Sequence, residues 1–144
     1  MIALLGGARV ARFGTVAPDG RPRLVPICFV LAGDVLYHAV DHKPKATRRL
    51  ARLADIAADP RATVLADHYE DDDWSALWWV RADGRARVLE DTGTPEAARA
   101  LDLLAGRYAQ YRERRPDGPV VALDIERITG WAPGGAKFSR SARR

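Results

Sequence analysis

The sequence has few of the residues that build cross-linked or membrane-embedded proteins. Cys28 is the single cysteine among 144 residues, so an internal disulfide and a cysteine-rich zinc site are both excluded. A long apolar run is also missing, because the opening MIALLGG is followed at once by Arg9 and Arg12. Such a start predicts neither a signal peptide nor a membrane span. We therefore expect a single globular domain in the cytoplasm.

Familiar catalytic motifs are absent as well. The chain contains no G-x-G-x-x-G sequence after its first strand, no G-x-x-x-x-G-K-[ST] loop and no G-x-S-x-G elbow. These absences argue against phosphate-loop enzymes and serine hydrolases. The histidines, His38, His42 and His68, lack the i, i+4 helical spacing of a zinc enzyme. We predict neither a metal site nor a catalytic acid or base.

Positive charge is what the sequence does have. Lys and Arg number 23 against 19 Asp and Glu, which gives a formal net charge of +4 at pH 7. This balance favours an anionic partner: nucleic acid, a membrane surface or a phosphorylated small molecule. Part of the excess lies in the last residues, KFSRSARR. We expect one domain over residues 1–133, followed by a flexible basic tail at 134–144.

The apolar pattern of the first half predicts strands and then a helix. Residues 10–16, 22–31 and 35–40 are rich in β-forming residues and are separated by turn residues, as three antiparallel strands would be. A helix is predicted to begin at Pro44, because proline is favoured at the first helical position. Its expected apolar stripe consists of Leu50, Leu53, Ala54 and Ala57.

The second half continues the alternation of strands and helices. Residues 62–69 are predicted to form a strand, and residues 74–90 a long hairpin that turns at Asp83-Gly84. A second helix is predicted from the Thr-Pro-Glu sequence at 94–96, and residues 120–131 return as a last strand. This order is typical of an antiparallel β-barrel with one or two covering helices. We therefore predict a mainly β fold.

The start of the first predicted helix is unusually basic. Lys43, Lys45 and Arg48 crowd an end where unpaired backbone N–H groups and the helix dipole already make the potential positive. A bound anion would compensate for this arrangement, and helix N-termini bind phosphate well. The alternative is a solvated basic helix face without a ligand.

Several segments together resemble the split-barrel proteins related to pyridoxamine 5'-phosphate oxidase. They are KPK with the following RLARL, the DHY segment and the run DWSALWWVRADG, within a similarity that covers residues 8–131. Within that group they resemble the actinobacterial branch predicted to use the deazaflavin coenzyme F420. The resemblance implies an antiparallel split β-barrel that forms a homodimer, with the cofactor in a groove between the two barrels.

The resemblance also implies which residues bind the cofactor. Basic residues at the turn into the helix hold its phosphate, the backbone of the second strand lies along its ring, and an aromatic pair forms the groove walls. On this chain these are Lys43, Lys45 and Arg48 for the phosphate, Val25, Pro26 and Ile27 for the ring, and Trp78 and Trp79 for the walls. Packing in the core or interface is the alternative for the two tryptophans. Because Pro26 has no N–H, we expect it at a sheet edge or bulge, with only its neighbours able to donate to the ring.

The activity implied by the resemblance is that of an F420-dependent oxidoreductase, which transfers hydride to or from a small conjugated organic substrate. Arg48, Arg49 and Arg52 exceed what a single phosphate needs, which favours F420, with its several tail carboxylates, over FMN. Vitamin B6 oxidation is disfavoured, because the chain lacks the arginine- and histidine-rich C-terminal segment of pyridoxamine phosphate oxidase. Two alternatives stay open: an FMN-binding oxidase or electron carrier of the same fold, and a non-enzymatic basic barrel that binds nucleic acid.

Overall fold

The computed structural model describes residues 2–40, 51–133 and 138–141, and the strands in these ranges form one antiparallel sheet. The strands are β1 (Ala11–Val16), β2 (Pro22–Ile27), β3 (Val30–Ala32), β4 (Val35–Ala39), β5 (Arg61–His68), β6 (Trp78–Leu89), β7 (Val120–Trp131) and β8 (Phe138–Ser141). The helices are α1 (Ile2–Gly7), α2 (Ala51–Ala58), α3 (Pro95–Arg107) and α4 (Ala109–Glu113), with a 3-10 helix at Trp74–Ala76. The predicted mainly β fold with covering helices is confirmed.

The sheet curls because its two ends are tied together by the chain. Its strand order is β2-β1-β5-β6-β7-β4-β3, with β8 attached to β7. The end strands β2 and β3 are joined through Cys28 and Phe29 alone, and a link of two residues spans at most about 10 Å. The strands between them must therefore bend round into a half-open barrel, as the split-barrel prediction requires.

Two hydrophobic clusters lie on the two faces of the sheet. One fills the barrel, and its largest fully buried apolar side chains are Phe13, Phe29, Leu5, Leu36, Val64, Val80, Val121 and Leu123. The other packs α3 against the outside of β4 and β7, through side chains that include Tyr37, Leu101, Leu104 and Ala122. Successive residues of a strand point to opposite faces, so β4 sends Leu36 into the barrel and Tyr37 towards α3.

The predicted hairpin at 74–90 is wrong. Residues 78–89 form the single strand β6, and Asp83-Gly84 marks a shift in its pairing with β7. A Cβ atom on Gly84 would lie only 2.0 Å from the carbonyl oxygen of Asp124. The glycine is therefore required for a close approach of two backbones at a β-bulge. In the sequence, an Asp-Gly pair at such a bulge looks the same as one in a tight turn.

The second run of residues, predicted as one strand over 22–31, is divided into β2 and β3. The helix α1 is also an addition to the predicted elements. In contrast, α3 begins as predicted, with Pro95 in its first turn and Thr94 Oγ1 accepting a hydrogen bond from the backbone N–H of Ala97 at 3.3 Å. Local capping chemistry was sufficient there.

The apolar stripe predicted for α2 is only partly correct. Leu53 is buried, but Ala54 and Ala57 are exposed, and Leu50 lies outside the described residues. The buried positions beside Leu53 are Ile56 and, unexpectedly, Asp55. The helix is thus rotated so that a carboxylate faces the barrel.

The predicted tail at 134–144 is described only over residues 138–141. These form β8, which pairs with β7. Among the described residues, no helix has the length and apolar character to cross a membrane.

Candidate functional site

The basic turn that was predicted to hold the cofactor phosphate lies outside the described residues. This applies to Lys43, Lys45 and Arg48, which stay predictions. The described part of the candidate site consists of the strand predicted to lie along the ring, β2, and the strand that carries the tryptophan pair, β6.

Strand β2 is an edge strand among the described strands, and its backbone groups alternate in direction. The N–H of Ala17 donates to the carbonyl of Arg21 at 2.8 Å, which makes these two a hydrogen-bonded pair in the β1–β2 register. Opposite residues in an antiparallel ladder alternate between bonded and non-bonded pairs. Pro22, Leu24 and Pro26 are therefore non-bonded, and their backbone groups point away from β1.

Only one of these three outward residues has an N–H group. Pro22 and Pro26 have none, so the free edge of β2 offers three carbonyl acceptors and a single donor, the N–H of Leu24. Pro26 lies on an edge strand, as expected. The sequence reasoning did not select Leu24. Counting bonded and non-bonded pairs from the hairpin turn would have identified it.

Side chains of the predicted ring segment are divided between two faces. Ile27 is buried and Val25 packs against the barrel core, whereas Pro26 is exposed on the opposite face. Leu24 is on the same face as Pro26, and 67% of it is exposed. The structure thus does not bring Val25, Pro26 and Ile27 to one surface.

The two tryptophans are divided in the same way. Trp78 packs partly against the barrel core and stacks on His68, with ring centroids 6.3 Å apart. Trp79 points to the other face, directly opposite Trp131 of β7. The core-packing alternative therefore applies to Trp78, and Trp79 lies on an accessible surface together with a tryptophan that the sequence reasoning did not select.

We call this surface the outer face: the side of β2, β1, β5 and β6 that faces away from the barrel core. Its side chains include Arg12, Leu24, Pro26, Thr63, Leu65, Trp79 and Arg81. Gly14 forms a gap between Leu24 and Thr63, because a Cβ at Gly14 would lie 3.1 Å from Leu24 Cδ2 and 3.2 Å from Thr63 Cγ2. The groove over this gap has a volume of about 590 Å³, and Arg23 and Arg61 are among its lining residues.

A buried carboxylate ties α2 to the two strands beside this groove. Asp55 accepts a hydrogen bond from Thr15 Oγ1 at 2.8 Å and one from Arg23 Nε at 2.7 Å. The bond to Asp55 holds the pKa of Arg23 above its usual value. Asp55 is 1% exposed, and the sequence reasoning did not select it.

Ligand sets for a metal are not found in the described ranges. No three His, Cys, Asp or Glu side chains there are close enough together to hold an ion. The outer face thus offers a backbone edge, a glycine-floored groove and guanidinium groups, which are suited to binding an organic anion or heterocycle.

Comparison with solved structures gives the same fold repeatedly at low sequence identity. A heme binding protein from Mycobacterium smegmatis superposes with a TM-score of 0.76 at 18% identity, covering 96% of this chain and 55% of that one. The chain thus spans about half of that relative's length. A FAD-binding protein from Mesorhizobium loti gives a TM-score of 0.65 at 21% identity, over 90% of this chain and 89% of that one.

A third structure is a conserved hypothetical protein from Mycobacterium tuberculosis, with a TM-score of 0.70 at 18% identity over 90% of this chain and 81% of that one. No curated protein sequence matches the chain. The family model described as pyridoxamine 5'-phosphate oxidase matches residues 1–132, which is nearly the whole sequence. The chain belongs to the pyridoxamine 5'-phosphate oxidase family.

Proposed function

We propose that the protein is an oxidoreductase that binds a flavin-type cofactor on its outer face. We propose coenzyme F420 as this cofactor, with FMN as the alternative. The observation that carries this proposal is the free edge of β2. The N–H and carbonyl of Leu24 point outwards side by side, and a lactam edge, an N–H beside a C=O, is their complement. Flavins and deazaflavins both have such an edge on the pyrimidine end of the ring.

The same edge disfavours a peptide strand as the ligand. A strand that extended the sheet would need regularly spaced donors, and Pro22 and Pro26 remove two of the three that β2 could supply. A small heterocycle needs only the single donor and acceptor pair at Leu24. The proposal therefore assigns the ring to Leu24, with Val25 and Ile27 supporting the strand from the core side.

The cofactor phosphate is assigned to Lys43, Lys45 and Arg48, as the family resemblance implies. Arg23 and Arg61 are also among the residues that line the described groove beside Leu24. Each is also in contact with an aspartate, Arg23 with Asp55 and Arg61 with Asp59. Because these carboxylates already neutralise the two guanidinium groups, the proposal leaves the phosphate to Lys43, Lys45 and Arg48.

When bound, the cofactor supplies the hydride chemistry. The protein's part is to bind and orient the ring and to exclude water from it. No side chain is assigned as a catalytic acid or base. The substrate that this proposal implies is a small conjugated organic molecule, with hydride transferred to or from it.

A homodimer completes the proposed site. At the β2 edge of the outer face, Leu24 is 67% exposed, and Pro26 is exposed beside it. A second copy packed on this face would cover these apolar side chains and enclose a groove between two barrels. The cofactor is proposed to lie in that groove.

Replacement of the single outward donor tests the ring assignment. In Leu24→Pro the backbone N–H is lost from a position outside the β1–β2 ladder, so the strand should still form. Leu24→Ala keeps the N–H and removes most of the side chain. We expect Leu24→Pro to weaken FMN and F420 binding by about tenfold relative to Leu24→Ala, as measured by quenching of tryptophan fluorescence. Equal affinities of the two variants would show that the cofactor ring does not bind the N–H of Leu24. A wild-type protein that binds neither cofactor would refute the proposed function.

Comparison of the two cofactors tests the choice of F420. The protein should bind F420 more tightly than FMN, and each further tail carboxylate that reaches Arg48, Arg49 or Arg52 should add roughly 0.2–1 kcal/mol, with a smaller gain at high salt. Lys45→Ala should weaken binding of both by about 1–3 kcal/mol, because both carry the phosphate. Tighter binding of FMN, or independence of tail length, would favour the FMN-dependent oxidase or electron carrier.

Nucleic-acid binding is less well supported by the surface. Exposed aromatic side chains suited to base stacking, Tyr69 and Trp74, flank the acidic residues 70–73. Such a site would need Lys or Arg interleaved with the aromatics. We therefore do not propose this function.

A further inference from the structure

A second groove lies at the far end of the outer face, away from Leu24. It has a volume of about 510 Å³ and is bordered by Leu65, Tyr69, Leu77, Trp79 and Trp131. Three strand spacings separate β6, which carries Trp79, from β2, a distance of about 14 Å. The groove is therefore distinct from the edge that the proposed function assigns to the cofactor ring.

The indoles of Trp79 and Trp131 are the centre of this groove. The two residues are directly opposite each other in the β6–β7 pairing, so their side chains leave the same face with Cβ atoms about 5 Å apart. Both are only partly buried among the described residues. Two adjacent indoles at an accessible surface present the flat apolar contact that an aromatic ligand requires.

The ionisable side chains around the groove are matched within the protein. Arg12 and Asp67 approach to 3.5 Å, and His68 Nε2 lies 3.1 Å from Glu70 Oε1. Arg81 Nε lies 3.2 Å from Asp83 Oδ2. Asp67, His68 and Arg81, the ionisable side chains in the lining apart from the Tyr69 hydroxyl, thus each have a partner. Tyr69 donates its hydroxyl to Asp71 at 2.7 Å.

Because each ionisable side chain of the lining already has a hydrogen-bond or ion-pair partner, we propose that the groove is a binding site for an uncharged, planar, conjugated organic molecule. The flat ring system lies against Trp79 and Trp131, and Leu65 and Leu77 close the sides. A charged ligand would have no unmatched counter-ion in the described lining and would lose its hydration on entering. The site depends on these side chains alone, so it stands or falls separately from the proposed cofactor.

Two anthraquinones of nearly the same shape test the proposal on the protein without cofactor. Equilibrium dialysis would compare 2-(hydroxymethyl)anthraquinone, which is neutral, with anthraquinone-2-sulfonate, which is an anion. We expect the neutral probe to bind at least about tenfold more tightly. Trp131→Ala should lower its affinity by about tenfold, whereas Trp74→Ala, which removes a tryptophan that is 68% exposed and outside the groove, should change it less than twofold.

A charge variant keeps the test valid if the loss of an indole disturbs folding. Asp67→Asn changes a half-exposed side chain and leaves Arg12 unmatched beside the groove. The anionic probe should then bind several-fold more tightly, with the neutral probe unchanged. Equal binding of both probes to the wild type, or equal binding of the neutral probe to wild type and Trp131→Ala, would overturn the proposal. Dissociation of a wild-type dimer by Trp131→Ala in light scattering would also overturn it, because a second copy would then be the occupant.

Discussion

The side of the barrel covered by α3 and the outer face differ in how they place charged and apolar side chains. On the side covered by α3, charged groups are gathered into one network: Arg87 bonds to Asp124 and Glu96, and Tyr37 donates to Glu96. On the outer face, apolar side chains are left in solvent, with Leu24 67% exposed. A fold gains stability from the first arrangement and loses solubility by the second. The difference is why we assign the covered side to holding the barrel together and propose the outer face as the binding surface.

The pKa shifts of the charged groups on the covered side are caused largely by contacts among these groups. The hydrogen bonds that Arg87 donates to Asp124 and Glu96 hold its pKa above its usual range. Arg87 in turn holds the pKa of Glu96 below its usual value. Burial and the neighbouring Glu96 raise the pKa of Tyr37. The folded state thus favours the ionised forms of Arg87 and Glu96 and the neutral form of Tyr37, which donates its hydroxyl to Glu96.

The largest effect is expected where the two sides meet, at the bulge in the pairing of β6 with β7. Gly84→Ala would place a Cβ 2.0 Å from the Asp124 carbonyl oxygen and 3.1 Å from Ile125 Cα. Since the obstacle is backbone, the strands must separate locally, and we expect a loss of more than about 4 kcal/mol in the free energy of unfolding. Urea unfolding followed by circular dichroism would measure this.

A glycine in α3 is the matched control. A Cβ on Gly106 meets no heavy atom within 4 Å, so Gly106→Ala should stabilise the protein by about 0.5–1 kcal/mol through helix propensity. If Gly84→Ala unfolds at the same urea concentration as the wild type, the close approach of β6 and β7 is not rigid and the bulge has another cause.

A moderate effect is expected from opening the charge network of the covered side. Arg87→Met keeps much of the side-chain length but leaves Asp124 and Glu96 without their shared partner. The groups are each more than a third exposed, so solvent screens part of the loss, and we expect a decrease of about 1–2 kcal/mol. Arg81→Met, which breaks a single exposed pair with Asp83, should cost less than about 0.5 kcal/mol. Equal losses in the two variants would show that the network adds nothing to isolated pairs.

Both sides also show what sequence reasoning reached and what it did not. The cap of α3 and the first hairpin could be predicted because the decisive residues are neighbours in sequence. Asp83-Gly84 misled the prediction, because the same dipeptide serves a tight turn and a close backbone approach, and the latter depends on Asp124, 40 residues away. Asp55 could not be found for a similar reason, since its partners lie on β1 and β2.

The candidate site was predictable in part. The edge position of Pro26 follows from its missing N–H, and the alternation of β2 then selects Leu24, a step that needs only the hairpin register. Once β6 is known to be a single strand, the alternation of side chains along it places Trp78 and Trp79 on opposite faces. The predicted phosphate residues, Lys43, Lys45 and Arg48, lie outside the described residues and stay predictions.

A smaller, pH-dependent effect is expected from the barrel core. His38 is 1% exposed, packs edge-on against Phe13 with ring centroids 4.7 Å apart, and has no hydrogen-bond partner for either ring nitrogen among the described residues. Burial, with a further contribution from Arg52, lowers the pKa of His38 to about 3. The unfolded chain takes up a proton near pH 6.5 while the folded protein does not, so stability present above pH 6.5 is lost as the pH falls towards 3.

The variant His38→Leu removes this linkage without leaving an unsatisfied group. Between pH 5.5 and 4.5 the wild type should lose about 1 kcal/mol more stability than His38→Leu, as measured by urea unfolding at each pH. The carboxylates titrate in both proteins and cancel in the difference. Parallel curves for the two proteins would mean that His38 becomes protonated within the fold.

The smallest effect on the folded monomer, and the most informative one for the outer face, is expected at Leu24. Because its side chain is 67% exposed, Leu24→Asp should change the unfolding free energy of the monomer by less than about 0.5 kcal/mol. In a homodimer packed on the outer face, the same change buries an unpaired carboxylate and should favour monomers. Light scattering over a dilution series would detect this, and the rise of Tm with protein concentration expected of a dimer should disappear. Gln110→Asp introduces the same charge on α4, on the covered side, and should leave the mass of the particle unchanged. A wild-type monomer at micromolar concentration would contradict the interface. Equal masses for both variants and the wild type would contradict it as well.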